Sequence, residues 1–393
     1  MQHATPLNGL KVLDLGHWIA GPYCTKLLAG LGANVIKVER PDGGDPARRA
    51  GSFPEDRPHP EKSGLYLYLN TGKRSITLNL KSPTGKSLFR QLAQWADVIV
   101  ENFAPRVMPS LGLGYAHLEE IKPSLVLTSI SNFGQTGPYR DYRGNDMTIF
   151  AAGGLMHQFG LPEMPPLRFG GNIVQYSGGL AAFAATLIAF YHAELTGEGQ
   201  QVDISLQEVL ACHHFQGMVE YEYTGRDRTR NRTMLIFPAS DGWVNAMFFP
   251  YMWNRVPDAL GMPELLDDPR FRTEESRIQH FQEFETLLLP WMLSHTKEEI
   301  YHIGQKARLP FGYLADAKDL IDSPQYRARG FFKVLDHPFA GRQTYPGTPL
   351  RVGDVEWQHD RAPLLGEHNE EVYCGLLGYC RADLARLRQN GVI

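Results

Sequence analysis

Only four cysteines occur among the 393 residues, Cys24, Cys212, Cys374 and Cys380, and they are scattered without a CxxC pair. No disulfide framework or zinc-ribbon spacing can be built from them, and reduced thiols in a cytoplasmic protein are expected. Long apolar runs are also missing: no stretch of about 20 such residues occurs. The longest candidate, Gly178–Tyr191, is rich in Ala and Gly and reads as a buried helix too short to span a bilayer. Neither charge sign dominates, with 39 Lys+Arg against 43 Asp+Glu and a net charge of -4. That balance gives no support to nucleic-acid or membrane-surface binding as the main activity. The opening MQHATPLNGLKVLDLG has no basic stretch followed by an apolar one, so no secretory signal is expected. His213-His214 beside Cys212 is not a metal pair, because adjacent helical residues point about 100° apart.

What is present is alternation. Leu10–Gly16, Ala33–Glu39, Arg74–Lys81, Asp97–Phe103, Ser124–Gly134 and Gln201–Ser205 read as strands. Between them lie helical patterns at Pro22–Leu31 and from Ser82 to Ala96, the latter opened by Ser82-Pro83. Strands alternating with helices predict an α/β fold, a doubly wound, parallel, Rossmann-like sheet with a ligand at the strand ends. After residue 224 the texture changes. Arg226–Arg232 is a polar, arginine-rich connection, followed by one expected strand, GWVNAMFF, and helices at Met252–Leu260, Glu283–Ser294 and Lys297–Lys306. The expected division is a large domain over 1–224, a smaller α+β domain over 225–330, and a return to the large domain over 331–393. A final helix is expected at Arg381–Asn390.

The most informative stretch is Gly134–Leu210. It holds GQTGPYRDYRGNDMTIFAAGG, with a small helix opening near Asn145. It continues through PPLRFGGNIVQYSGG into a long apolar helix, a Thr-Gly-Glu-Gly-Gln turn and the strand Gln201–Ser205. This order and spacing closely resemble the class III coenzyme A transferases of the CaiB/BaiF, formyl-CoA transferase type. His17–Arg49 likewise resembles that family's opening CoA-binding unit. A strand ending at Gly16 before a helix opening with Gly21-Pro22 would present free backbone N–H groups to a phosphate or thioester. The resemblance implies that His17, Ile19 and Ala20 line the pantetheine and that Arg40 pairs with phosphate. It further implies that Leu78, Asn79 and Lys81 hold the adenosine end, that Asn102 and Phe103 touch the ligand, and that Arg143 approaches the nucleotide. Ser110 stands before Leu111-Gly112 where the family usually has Arg; Arg106, four residues upstream, is the candidate substitute. Asn132 likewise departs from the usual Ser-Gly-Phe-Gly.

The resemblance also implies covalent chemistry, in which an aspartate just before the long helix attacks the donor thioester as nucleophile. Here that position reads Gln175, and GGNIVQYSGG contains no acid in any register. An amide serves neither as nucleophile nor as leaving group, although it can donate a hydrogen bond to a carbonyl. The racemase branch's histidine position reads Asn145. Asp146 is the nearest remaining acid, expected either to cap the small helix or to act chemically. The family's mobile glycine cluster has no counterpart in MLIFPASDGW, and FFPYMW (Phe248–Trp253) would suit a bulky acyl group.

Three readings follow. The first is a subunit of an interlocked heteromer whose homologous partner carries the nucleophile, as in two-subunit members such as benzylsuccinate CoA-transferase. The second is a homomeric acyl-CoA lyase or isomerase using Asp146 and Gln175. The third is a non-catalytic CoA-ester-binding module. In each, no tightly bound cofactor is expected, and coenzyme A or an acyl-CoA enters as substrate.

Overall fold

A computed structural model describes residues 5–228, 230, 236–353, 355, 357 and 359–393. It forms two compact units. The larger holds the chain up to Phe159, Pro166–Arg228 and Arg329–Ile393; the smaller holds Gly160–Pro165 and the stretch ending at Ala328. Gly160–Pro165 thus groups with the smaller unit rather than with its sequence neighbours.

The larger unit is built on six parallel strands: β1 (Lys11–Asp14), β2 (Asn34–Glu39), β3 (Arg74–Thr77), β4 (Val98–Glu101), β5 (Val126–Ser131) and β6 (Gln201–Ser205). Their order is β3-β2-β1-β4-β5-β6, so the direction of winding reverses between β1 and β4. Val, Ile and Leu dominate β1, β2, β4 and β5 and are buried, as a sheet covered on both faces requires. Most strands are shorter than their apolar runs suggested. The run Arg74–Lys81 leaves the ladder after Thr77 because the C-terminal segment takes over its hydrogen bonds. Asn369 Oδ1 accepts from Thr77 N–H (2.9 Å), Tyr373 Oη donates to the Thr77 carbonyl (2.8 Å), and Asn79 N–H donates to the Val392 carbonyl (2.7 Å). In this segment lies an antiparallel hairpin, β10 (Phe332–His337) and β11 (Gly341–Pro346), that no sequence pattern announced.

The helix over Ile173–Thr196 corrects one expectation. Its Gly/Ala face packs down, burying Val174, Gly178, Gly179, Ala182, Phe183, Thr186 and Ala189. Its large apolar residues point the other way: Ile188 is 72%, Tyr191 65% and Leu195 68% exposed. The helix is therefore half-buried. At 24 residues it is also long and apolar enough to cross a bilayer. Small residues let it approach closely: a Cβ at Gly179 would lie 2.7 Å from the Ala20 carbonyl oxygen.

Charge is buried at the C-terminal ends of β1 and β2 and just before β3. Asp14 Oδ2 accepts from Lys73 Nζ and Thr25 Oγ1, each at 2.8 Å. Lys37 Nζ lies 2.9 Å from Asp45 Oδ2 and donates to the Gly16 carbonyl at 2.8 Å. Glu39 accepts from Arg48 through Nε (2.7 Å) and Nη2 (2.8 Å), from Tyr66 Oη (2.9 Å) and from Ser75 Oγ (2.7 Å). Burial alone would raise the Asp14 carboxyl, but Lys37 and Lys73 outweigh it and hold it down to about 2. Glu39 is likewise held at about 2, chiefly by Arg48 against desolvation.

The smaller unit has a three-stranded antiparallel sheet of β7 (Ile236–Ala239), β8 (Gly242–Ala246) and β9 (Phe311–Tyr313). The sequence suggested one strand here; β7 carries Pro238 and β9 is three residues long, so neither shows a strand period. Phe248 and Trp253, read as acyl-group candidates, pack in this unit. Phe248 meets Phe284 and Phe311 edge-on, and Trp253 meets Phe284. The connection Arg226–Arg232 and the start of MLIFPASDGW lie partly outside the described residues.

Two outcomes test this architecture. Gly179→Ala is expected to lower stability by about 1–3 kcal/mol through overpacking, although alanine alone would favour the helix by roughly 0.5–1 kcal/mol. An unchanged urea midpoint would contradict the close approach. Glu101, at the end of β4, is buried, and desolvation pushes its carboxyl up to about 7 despite bonds from Ser129 and the Phe103 amide. The folded state therefore binds this proton more tightly than the unfolded chain does. Stability drops as pH rises from the unfolded value toward 7 and stays lost above it. Glu101→Gln should thus stabilise by on the order of 3 kcal/mol at pH 8 and far less at pH 5; thermal melts giving equal shifts at both pH values would refute this.

Candidate functional site

The winding reversal places the loops after β1 and β4 side by side at one edge of the sheet. There they border a cavity of about 1180 Å³ that lies wholly within the larger unit. Trp18, Ile19 and Ala20 line it from the first loop, Asn102 to Arg106 from the second, and Ile130 to Asn132 from the end of β5. Arg140 to Met147, Arg168, Asn172, Gln175 and Leu206, with Ala50 and Leu65, complete the wall.

The two loops are tied to each other. His17 N–H donates to Asn102 Oδ1 (2.7 Å), and Asn102 Nδ2 donates back to the His17 carbonyl (2.8 Å). The His17 ring meets Phe103 edge-on at 5.2 Å, and desolvation, aided by Lys37, lowers its pKa. Glycine permits the turn: a Cβ on Gly21 would lie 2.9 Å from the Gly16 Cα. Between them Trp18 adopts φ 62°, rare for a bulky residue, and Asp45 Oδ1 holds its N–H at 3.1 Å. The buried Lys37–Asp45 pair therefore reaches the cavity wall through one backbone hydrogen bond.

Two helices open onto this space, neither capped by the side chain of its own N-cap residue. The helix Ala20–Gly30 follows Ile19, and Ile173–Thr196 follows Asn172, itself at φ 56°. Their N-termini present partial positive charge, and on the long helix the Val174 and Gln175 N–H groups turn toward Asp146. Arg106, Arg140, Arg143 and Arg168 also line the cavity, so the site favours an anionic ligand with an apolar stem along Ile19, Phe103 and Leu206.

The carboxylates among the lining residues are Asp141 and Asp146. Asp141 is bonded to Arg106 through Nε (2.7 Å), so the arginine suggested as a phosphate partner is already engaged. Asp146 is not the cap of its helix, Asp146–Ala152. Asn145 fills that role, its Oδ1 accepting from Thr148 N–H (2.9 Å) and Oγ1 (3.0 Å). A side-chain amide one residue earlier satisfies the helix end, which leaves Asp146 to face the long helix. Its Oδ1 is buried without a hydrogen-bond partner. Desolvation raises its pKa, while the Gln175 and Val174 amides and Arg168 pull the other way. Gln175 sits in the first turn of the long helix rather than in the turn before it.

Of the residues singled out by sequence, the cavity brings together Ile19, Ala20, Asn102, Phe103, Arg106, Asn132, Arg143, Asp146 and Gln175, with His17 one bond behind. Others stand apart from the lining. Leu78 is buried in the core and Leu111 packs against it. Asn79 is bonded to the C-terminal segment, Lys81 and Arg40 are exposed, and Ser110 Oγ donates to the Val107 carbonyl at 2.8 Å. Trp18, Arg140, Asp141, Asn172 and Arg168 were missed. Trp18, an isolated large aromatic just after a strand-ending glycine, and the arginine in PPLRFGG were the available signals.

A profile of CoA-transferase family III matches residues 7–369. The chain is 34% identical to the succinyl-CoA--D-citramalate CoA-transferase of Chloroflexus aurantiacus, over 99% of this chain and 98% of that protein. It is 32% identical to the formyl-CoA:oxalate CoA-transferase of Streptomyces avermitilis, over 98% and 99%. A solved CAIB/BAIF family protein from Brucella suis superposes with a TM-score of 0.85 at 30% identity, covering 95% of this chain and 100% of that one. A parallel sheet with its cavity at the winding reversal, an anion-favouring wall and these end-to-end similarities agree: the chain belongs to CoA-transferase family III.

Proposed function

We propose that this CoA-transferase works as one subunit of a heteromer, in which a homologous second chain supplies the nucleophilic aspartate. The observation that carries this reading is Gln175, an amide in the first turn of the long helix and on the cavity wall. CoA transfer by a carboxylate needs a group that attacks the thioester carbonyl and expels CoA thiolate as a mixed anhydride forms. The thiolate then attacks the enzyme-side carbonyl and releases the donor acid, the acceptor carboxylate attacks the enzyme thioester so formed, and the enzyme carboxylate leaves when thiolate takes the new acyl group. A primary amide does neither. Gln175 can instead donate a hydrogen bond to a thioester oxygen, beside the positive ends of two helices.

Two further features support a covering homologous chain. Ile188, Tyr191 and Leu195 on the long helix are exposed, as are Phe215, Met218, Val219 and Tyr223 on or beside the helix Phe215–Thr224. Apolar faces of this extent mark interaction surfaces. Four unpaired thiols suit a reducing cytoplasm. The arginines and open helix ends would bind the phosphates and thioester of an acyl-CoA, and the acceptor would be a carboxylic acid.

One observation favours a second reading, a single-chain enzyme with Asp146 as its reacting carboxylate. Asp146 lies in the same cavity with a buried oxygen lacking a partner, facing the Gln175 amide.

Acyl-CoA thioesters are supplied to the purified chain, to its Gln175→Asp variant and to co-expressed chain plus paralogue, followed by hydroxylamine trapping and mass spectrometry. The expected outcome is no adduct on the chain alone, an adduct at position 175 in Gln175→Asp, and an adduct on the paralogue in the co-purified complex. A trapped adduct on Asp146 of the unaltered chain, lost in Asp146→Asn, would replace the first reading with the second.

A further inference from the structure

The smaller unit contains a second cavity, of about 130 Å³, that the transfer chemistry does not use. Phe248, Pro250, Ile278, Phe281 and Phe284 form its apolar walls, with Trp253, Glu274 and Arg277 supplying the polar atoms. Its volume approaches that of cavities which take up a single benzene ring. Walls of this kind hold a flat ring by edge and face contacts.

One donor at this cavity lacks an acceptor, and a cation lies beside it. Trp253 is 7% exposed, and its Nε1–H is buried without a hydrogen-bond partner. An indole N–H can only donate, so its need is for an acceptor and nothing else. The Arg277 guanidinium stacks over the Trp253 ring at 4.7 Å, and its Nη1 donates to the Phe271 carbonyl at 2.9 Å. Glu274, three residues earlier on the helix Glu274–Gln279, is the acid that acts on it. That acid does not compensate for burial, which depresses the guanidinium pKa. A ring-sized apolar slot beside an orphan N–H and a guanidinium stacked on the same indole lacks one component, an anionic acceptor attached to a ring.

We propose that this cavity is a binding site for a small aromatic carboxylate of benzoate size, separate from the CoA cavity of the larger unit. The ring occupies the slot among the phenylalanines, and the carboxylate accepts from Trp253 Nε1–H and Arg277. This proposal is independent of the heteromer reading, because it concerns a ligand of the smaller unit whichever chain carries the nucleophile.

The test labels the full chain with 5-fluorotryptophan and follows its fluorine resonances during titration with benzoate. Trp253 and Trp18 are assigned by their absence in Trp253→Phe and Trp18→Phe. The expected result is a saturable shift of the Trp253 resonance, with the apparent Kd at least tenfold weaker in Arg277→Met. Benzene should shift the same resonance without sensitivity to Arg277→Met. A Trp253 resonance that stays fixed while benzoate moves others, or moves nothing, overturns the proposal; so does a Trp253 shift unaffected by Arg277→Met. If either variant fails to fold, Trp253 is assigned by its contact with a nitroxide-labelled benzoate, and competition by unlabelled benzoate decides the question on the unaltered chain.

Discussion

The Lys37–Asp45 pair, and the charges packed around it, is the interaction on which the geometry of the large cavity depends. Asp14 and Glu39 end adjacent parallel strands, and Lys37 pairs with Asp14 two residues before Glu39, so these side chains crowd together. Each carboxylate found cations within hydrogen-bond reach, so burial costs less than it would for an isolated charge. The pair fixes Asp45, Asp45 fixes the amide of Trp18, and Trp18 is thereby kept in a backbone conformation that a tryptophan rarely adopts. Removing one partner would leave its counterpart charged in a region closed to water. The arrangement therefore contributes more to the definition of this loop than to net stability.

From that loop outward the chemistry follows from backbone as much as from side chains. Two helix N-termini meet one cavity, and neither is capped by its own side chain. Capping by the preceding side chain is the ordinary fate of a helix start; here the long helix turns its first amides toward Asp146 instead, and the positive ends of both helices meet the cavity. The arginines add long-range attraction, and Arg106 spends part of it on Asp141. What the wall lacks is a carboxylate at Gln175, and the site has the character of an anion receptor before that of a nucleophile.

The strands of the large sheet were legible because β-branched runs bounded by Gly and Asn are strong signals over even four residues. Their ends were not, since Leu78 and Leu80 continue the apolar pattern after the ladder stops, and a C-terminal segment nearly 300 residues away decides where it stops. The same tertiary bond explains why Asn79 stands apart from the cavity while Asn102 lines it. The exposed side of Ile173–Thr196 was hidden because hydrophobicity does not distinguish a core from a surface awaiting a partner. Trp18 and Arg168 escaped notice for another reason: their placement follows from a left-handed backbone and a long-range fold contact, neither of which has a residue period. Asp146 shows the finest limit. Its neighbour Asn145 is an equally good cap, and one residue of register decided which side chain the cavity received.

The reciprocal bonds between Asn102 and the His17 backbone have a consequence for the thermodynamics of recognition. They close a small ring between the two loops at the point where the sheet reverses its winding, so the mouth does not have to be assembled by an arriving ligand. The entropy of ordering those loops is spent once, during folding, instead of at each encounter. A flexible anionic ligand would still lose its own freedom on entering, but it would meet a wall already in place. Discrimination between thioesters would then rest on the fit of the acyl portion against fixed atoms, and a mismatched chain would be rejected by collision more than by failure to induce closure.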